Sequence, residues 1–121
     1  MPTALLVEDD ETQVEYFSRL LTRYGYTVTV AGDGMEALAL CQAQPYDLLV
    51  TDVRMPRLNG ISFIRNALKF SPHVAPRIIV ISAMDDNVIR RDAIDAGAAL
   101  FLVKPVSAAD FEAAVRGTAN K

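Results

Sequence analysis

Five short apolar runs, each followed by residues at helical spacing, constrain this chain more than any other feature. The runs are "ALLV" (4–7), "TVTVA" (27–31), "DLLVT" (47–51), "RIIVIS" (77–82) and "ALFLV" (99–103). Most are continuous rather than alternating, the pattern of strands covered by helices on both faces of a parallel sheet. "TVTV" alternates instead, which places it near an edge.

Between the runs, Val14, Phe17, Leu20, Leu21 and Tyr24 fall on one helical face, as do Ile61, Ile64 and Leu68, and Phe111 with Val115. "DGME" (33–36) and "SAAD" (107–110) put a short oxygen-bearing side chain three residues ahead of a carboxylate, a helix-start pattern. Gly25 and Gly97 mark helix ends. The segment 85–98 is the least apolar helix, with Val88, Ile89 and Ala93 as its inward face, and is expected to be held loosely.

Five βα units with right-handed crossovers allow few arrangements, and the compact one is a doubly wound, flavodoxin-like (βα)5 sandwich with strand order 2-1-3-4-5. A TIM barrel needs roughly twice the chain. At 121 residues, 51% hydrophobic and 22% charged, the chain reads as one globular domain over 1–121. Its net charge of -3 supplies no basic field, so neither nucleic acid nor an anionic membrane is expected as a direct partner. "MPTALLVEDD" lacks a basic region before its apolar stretch and does not read as a signal peptide; no run approaches membrane-spanning length, and a cytoplasmic location is expected. The single cysteine, Cys41, excludes an internal disulfide and a cysteine-cluster metal site and reads as a small buried hydrophobe.

In such a sheet, ligands bind beyond the carboxyl ends of the strands, where the strand order reverses between the first and third. The first run ends at Glu8 and Asp9, the third at Asp52, the fourth at Ser82 and the fifth at Lys104. Any one of these has a plain structural reading as a cap or a solvated charge. Together they bring three negative charges and one positive to a single rim. Two carboxylates about 4 Å apart repel by around 4 kcal/mol at an effective dielectric near 20, so the cluster calls for a cation. Carboxylate oxygens without His or Cys favour Mg²⁺ or Mn²⁺ over Zn²⁺, and Mg²⁺ keeps positions open for phosphate oxygens, which points to phosphoryl chemistry.

The motifs "LLVEDDE" (5–11), "DLLVTDVRMPRLNG" (47–60), "VISA" (80–83) and "LFLVKP" (100–105) extend over essentially the full length, and the chain resembles the receiver domain of two-component response regulators. The resemblance implies that Asp52 is the phosphoacceptor, taking a phosphoryl group from a histidine of a sensor kinase or of a phosphotransfer protein. It implies Glu8 and Asp9 as the acidic pair, with Asp9 on Mg²⁺ directly and Glu8 through water, and the Arg54 carbonyl as a further ligand. Ser82 takes the hydroxyl position that bonds a phosphoryl oxygen, Lys104 pairs with phosphate charge, Phe101 matches the aromatic switch position, and Pro105 is a cis-proline candidate. A downstream target or output domain would engage the face of the fourth helix, fifth strand and fifth helix. The expected chemistry is self-phosphorylation and slow autodephosphorylation, not that of an ordinary enzyme.

Other readings are less well served by the residues. A haloacid-dehalogenase-type hydrolase carries a second aspartate two residues after the nucleophile near the chain's start, whereas Arg54 stands at that position here. A flavin binder needs a phosphate-cradling loop after its first strand, and "VEDDE" repels phosphate. A receiver-like binding module that is never phosphorylated does not require the intact set Glu8, Asp9, Asp52, Ser82 and Lys104. Outside the motifs, Asp10 reads as a helix cap, His73 as a solvated loop residue, and Arg90 and Arg91 as an exposed helix face. Arg54 and Met84 flank the site and are expected to shield it from water.

Overall fold

The computed structural model describes residues 1–55, 57–70 and 77–119. Pro56, His73 and the last two residues of the tail fall outside them, so the readings at those positions stay with the sequence. The elements alternate: β1 (Thr3–Val7), α1 (Glu11–Arg23), β2 (Thr27–Ala31), α2 (Gly34–Ala43), β3 (Leu48–Asp52), α3 (Gly60–Phe70), β4 (Arg77–Ser82), α4 (Asn87–Ala96), β5 (Leu100–Val103) and α5 (Ala108–Ala119). All strand pairs are parallel, in the order β2-β1-β3-β4-β5. The alternating run "TVTVA" is the edge strand β2, as its pattern predicts.

Successive strand residues point to opposite faces, and here both faces are dry. Leu5, Val7, Leu49, Ile78 and Val80 join Ala37, Phe63, Ile64 and Ala93 from the α2, α3 and α4 side. Leu6, Leu48, Val50, Ile79 and Ile81 join Phe17, Leu21, Phe111 and Val115 from the α1 and α5 side. Two separate cores therefore demand the continuous apolar runs. The fifth run is the exception, because β5 forms the second edge and only Phe101 in it is buried.

The helix signals act as local chemistry dictates. Asp10 caps α1 by accepting from Thr12 and Gln13 N–H, Asp33 caps α2 through Glu36 N–H at 2.8 Å, and Ser107 Oγ accepts from Asp110 N–H at 3.0 Å. Gly25 and Gly97 end α1 and α4 with φ of 98° and 128°, a left-handed region that glycine enters without penalty. Two expected core positions differ. Val88 is 68% exposed, because Ile89, Ala93 and Ala96 share the face of α4 that meets the sheet and Val88 lies off it. Leu68 is 39% exposed and covers the Gly97 turn, its Cδ1 2.6 Å from where a Cβ on Gly97 would sit. Cys41 is buried, and desolvation pushes its thiol up to about 11, so it is neutral and unreactive.

Candidate functional site

The sheet delivers its polar residues to one rim because each strand stops where its apolar run does. Glu8 prolongs the β1–β2 ladder, its N–H donating to the Ala31 carbonyl at 3.0 Å, and Asp9 follows into solvent. Asp52 is the last residue of β3, one position later than the run "DLLVT" suggests, and pairs with Ile81 of β4. Ser82 closes β4, and its carbonyl accepts the N–H of Lys104 at 2.8 Å, which seats the lysine beyond β5.

Charge decides the local geometry. Lys104 Nζ donates to Glu8 Oε2 and to Asp52 Oδ2, both at 3.1 Å, so one ammonium holds two carboxylates. Glu8 is 3% exposed, and Asp52 is also buried. Burial first, and the nearby Asp52 charge second, raise the Glu8 carboxyl above its ordinary value, against the Asp10 N–H and Lys104. Burial pulls the Lys104 ammonium the other way, but its hydrogen bonds and charge contacts with Asp52 and Glu8 prevail and hold it protonated. The lysine thus neutralises only part of the cluster.

Carboxylate oxygens of Glu8, Asp9 and Asp52 all lie within 4.8 Å of one another. Three hard oxygens with excess negative charge suit a small divalent cation, and no sulfur or imidazole ligand belongs to the group. Beside it opens a depression of about 450 Å³ lined by Asp9, Val53, Arg54, Met55 and Asn59. The Arg54 backbone flanks this depression, its N–H reaching Asp52 Oδ1 at 3.4 Å. The acidic cluster, Arg54 and Lys104 are brought together as their positions predict.

Ser82 is buried, and its Oγ accepts the Met84 N–H at 3.0 Å, which leaves its own hydroxyl proton to donate. Phe101 is not part of the cluster. Its ring is 7% exposed, packed in the core under the Arg90 guanidinium, which sits 4.7 Å from the ring centroid. Arg90, read from sequence as an exposed helix face, instead covers this ring and pairs with Asp85 at 3.2 Å. The Lys104–Pro105 bond is cis.

Several further contacts surround the site. Arg54 Nη2 donates to Met84 Sδ at 3.2 Å, so the two flanking residues touch. Gly60 opens α3 so close to β3 that a Cβ there would lie 2.0 Å from the Asp52 carbonyl oxygen. Gly34 approaches the loop before α3 in the same way, its absent Cβ 2.1 Å from the Leu58 carbonyl oxygen. Arg57, in that loop, has φ of 68° and donates Nε and Nη2 to Asp33 Oδ2 at 3.1 and 2.6 Å. The motifs "DG" at 33–34 and "NG" at 59–60 are the visible traces of the two close approaches.

Comparison with known proteins agrees with this geometry. The family described as "Response regulator receiver domain" matches residues 4–116. The response regulator MprA of Mycobacterium ulcerans is 39% identical over 112 residues, which cover 93% of this chain and 47% of that protein. The chain spans about half the length of the first curated relatives it matches. Among solved structures, a chain of the CheX–CheY–BeF3–Mg²⁺ complex from Borrelia burgdorferi superposes with a TM-score of 0.89 at 27% identity, covering 99% of this chain and 90% of that one. The receiver domain of the sensor histidine kinase PA1611 from Pseudomonas aeruginosa, with magnesium in its active-site cleft, gives 0.83 at 27% identity, covering 99% and 98%. With its strand order, its rim of carboxylates and a match over nearly all its length, the chain belongs to the response regulator receiver domains and is a phosphoacceptor signalling domain.

Proposed function

We propose that Asp52 is the residue phosphorylated, by a histidine of a sensor kinase or of a phosphotransfer protein, in a Mg²⁺-dependent reaction. The observation that carries this is Lys104 Nζ held 3.1 Å from both Glu8 and Asp52, beside a third carboxylate, at the open rim of the sheet. An Asp52 oxygen attacks phosphorus in line, an O–P bond forms, the P–N bond breaks, and its electron pair returns to the donor imidazole. Glu8, Asp9, Asp52 and the Arg54 carbonyl would hold Mg²⁺, with Mn²⁺ of the same hard class able to replace it. Bound there, the cation supplies charge neutralisation for the phosphoryl oxygens.

The remaining roles follow from charge and reach. Lys104 exchanges part of its carboxylate pairing for a phosphoryl oxygen, and the free Ser82 hydroxyl proton is donated to another. Ala83 leaves the approach open. Movement of Ser82 favours the inward position of the Phe101 ring, which this structure already adopts, and the α4–β5–α5 face transmits the change to a protein target or output domain. No helix among the described residues is long and apolar enough to cross a membrane. The proposal includes a cytoplasmic location for this domain.

Incubation with Mg²⁺ and acetyl phosphate, followed by intact mass measurement, is expected to show one phosphoryl adduct that is absent with EDTA and absent in Asp52→Asn. No adduct on the wild type, or an undiminished one on the variant, defeats the proposal and leaves a non-phosphorylated binding module. The Arg54–Met84 contact also supports a shield against water over the phosphorylated Asp52. The doubly substituted Arg54→Ala, Met84→Ala protein is expected to lose its phosphoryl group about tenfold faster, equivalent to about 1.4 kcal/mol of barrier. Loss at the wild-type rate or slower, followed by phosphate release, removes the shielding role.

A further inference from the structure

The loop bearing Arg54 is anchored at its far end by Gly60 N–H, which donates to the Val53 carbonyl at 2.9 Å. Between these points its described residues turn back onto the start of α2. Leu58 places its carbonyl oxygen where a Cβ on Gly34 would stand, so the loop backbone rests on the first turn of that helix. Arg57 has φ of 68°, a conformation that Asn or Gly adopts more readily than Arg. What the arginine adds is its side chain: Nε and Nη2 both reach Asp33 Oδ2.

Asp33 is well placed to hold such a loop. Its Oδ1 caps α2 through Glu36 N–H, and its Oδ2 takes the guanidinium, so the carboxylate is fixed on one side and pulls on the other. The Glu36 N–H first, and Arg57 second, hold its carboxyl below the ordinary range, so it is ionised at neutral pH. Asp33 stands two residues beyond the end of β2, after Gly32, and β2 supplies the Ala31 carbonyl that accepts the Glu8 N–H. Contacts therefore run from Glu8 through Ala31 and Asp33 to Arg57 and the loop. They tie two sides of the carboxylate cluster together.

We propose that the Asp33–Arg57 ion pair is a positioning device for the cation site: it fixes the β3–α3 loop, and with it the Arg54 backbone, relative to Glu8, Asp9 and Asp52, and so tunes divalent-cation affinity. The inference rests on the proposed role of the Arg54 carbonyl as a ligand. Because Arg57 is largely exposed, the pair contributes little to global stability, and its effect is confined to the loop. Neither residue belongs to the carboxylate cluster of Glu8, Asp9 and Asp52.

The test is a Mg²⁺ titration of the whole chain, read from backbone amide shifts, on wild type, Asp33→Asn, Arg57→Ala and the double variant. Asparagine keeps an oxygen for the helix cap and removes the charge. Each single change is expected to weaken Mg²⁺ binding about threefold to fivefold, the range one exposed pair can transmit, with the double variant no weaker than either. Urea midpoints are expected to stay at the wild-type value. Wild-type Mg²⁺ affinity in both single variants, additive losses in the double variant, or weakening matched by an equal fall in global stability overturns the proposal. Absence of Mg²⁺ binding by the wild type overturns the metal-dependent function itself, and this inference with it.

Discussion

Gly60→Ala is expected to destabilise the domain by about 3 kcal/mol or more and to abolish phosphorylation in the fraction that still folds. The added Cβ would lie 2.0 Å from the Asp52 carbonyl oxygen, 2.9 Å from its carbon and 3.0 Å from Thr51 Oγ1. The first two are backbone atoms, and the third belongs to a buried, β-branched side chain held by its hydrogen bond to the Asp52 carbonyl. The backbone of β3 is held between β1 and β4, so relief requires displacing either the strand that carries Asp52 or the whole start of α3. Gly117 provides the matched control: it lies within α5, a Cβ there meets nothing within 4 Å, and Gly117→Ala is expected to stabilise by about 0.5–1 kcal/mol. Urea unfolding of both variants measures the contrast. A loss below about 1 kcal/mol for Gly60→Ala, where ordinary surface substitutions fall, contradicts the close-approach argument.

Lys104→Met is expected to cost the Mg²⁺-free domain about 2–3 kcal/mol at neutral pH, less than the 3–5 typical of a fully buried pair because the lysine is partly exposed. Methionine keeps the apolar stem and removes the charge that faces Glu8 and Asp52. The pH dependence has a definite sign. A carboxyl raised on folding, as Glu8 is, imposes no penalty while protonated in both states, and its full penalty once pH exceeds the raised value. Removing Lys104 raises Glu8 further, so the deficit of the variant is expected to shrink as the solution is acidified toward the carboxylate range. Added Mg²⁺ is expected to recover part of it. Denaturation curves at neutral and mildly acidic pH, with EDTA and with Mg²⁺, check each arm, and a deficit that grows on acidification counts against the charge argument.

What was legible in the sequence is what the backbone itself dictates. A strand buried on both faces must be continuously apolar, and an edge strand need not be, so β1, β3, β4 and the alternating β2 could be read from composition over a handful of residues. The carboxylates and Lys104 were legible because each stands at the end of such a run, and parallel topology gathers those ends on one rim. Val88 was misplaced because two adjacent apolar residues on a helix leave the choice of face to packing. The Asp33–Arg57 and Arg54–Met84 contacts had no signal, since side chains that meet across 24 and 30 residues leave no period to detect. Gly34 and Gly60 were visible as glycines, but not the carbonyls against which they pack.

The Lys104–Glu8 contact joins residues 96 apart, and Asp52 lies between them in the chain, 52 residues before Lys104. Closing so long a loop costs more chain entropy than a local turn, and the rim exists only where β1, β3 and β5 are all docked in the sheet. Without β5 in the sheet, the aspartate at the end of β3 has no ammonium beside it. The setting of the proposed phosphoacceptor is therefore a property of the whole sheet and not of β3 alone.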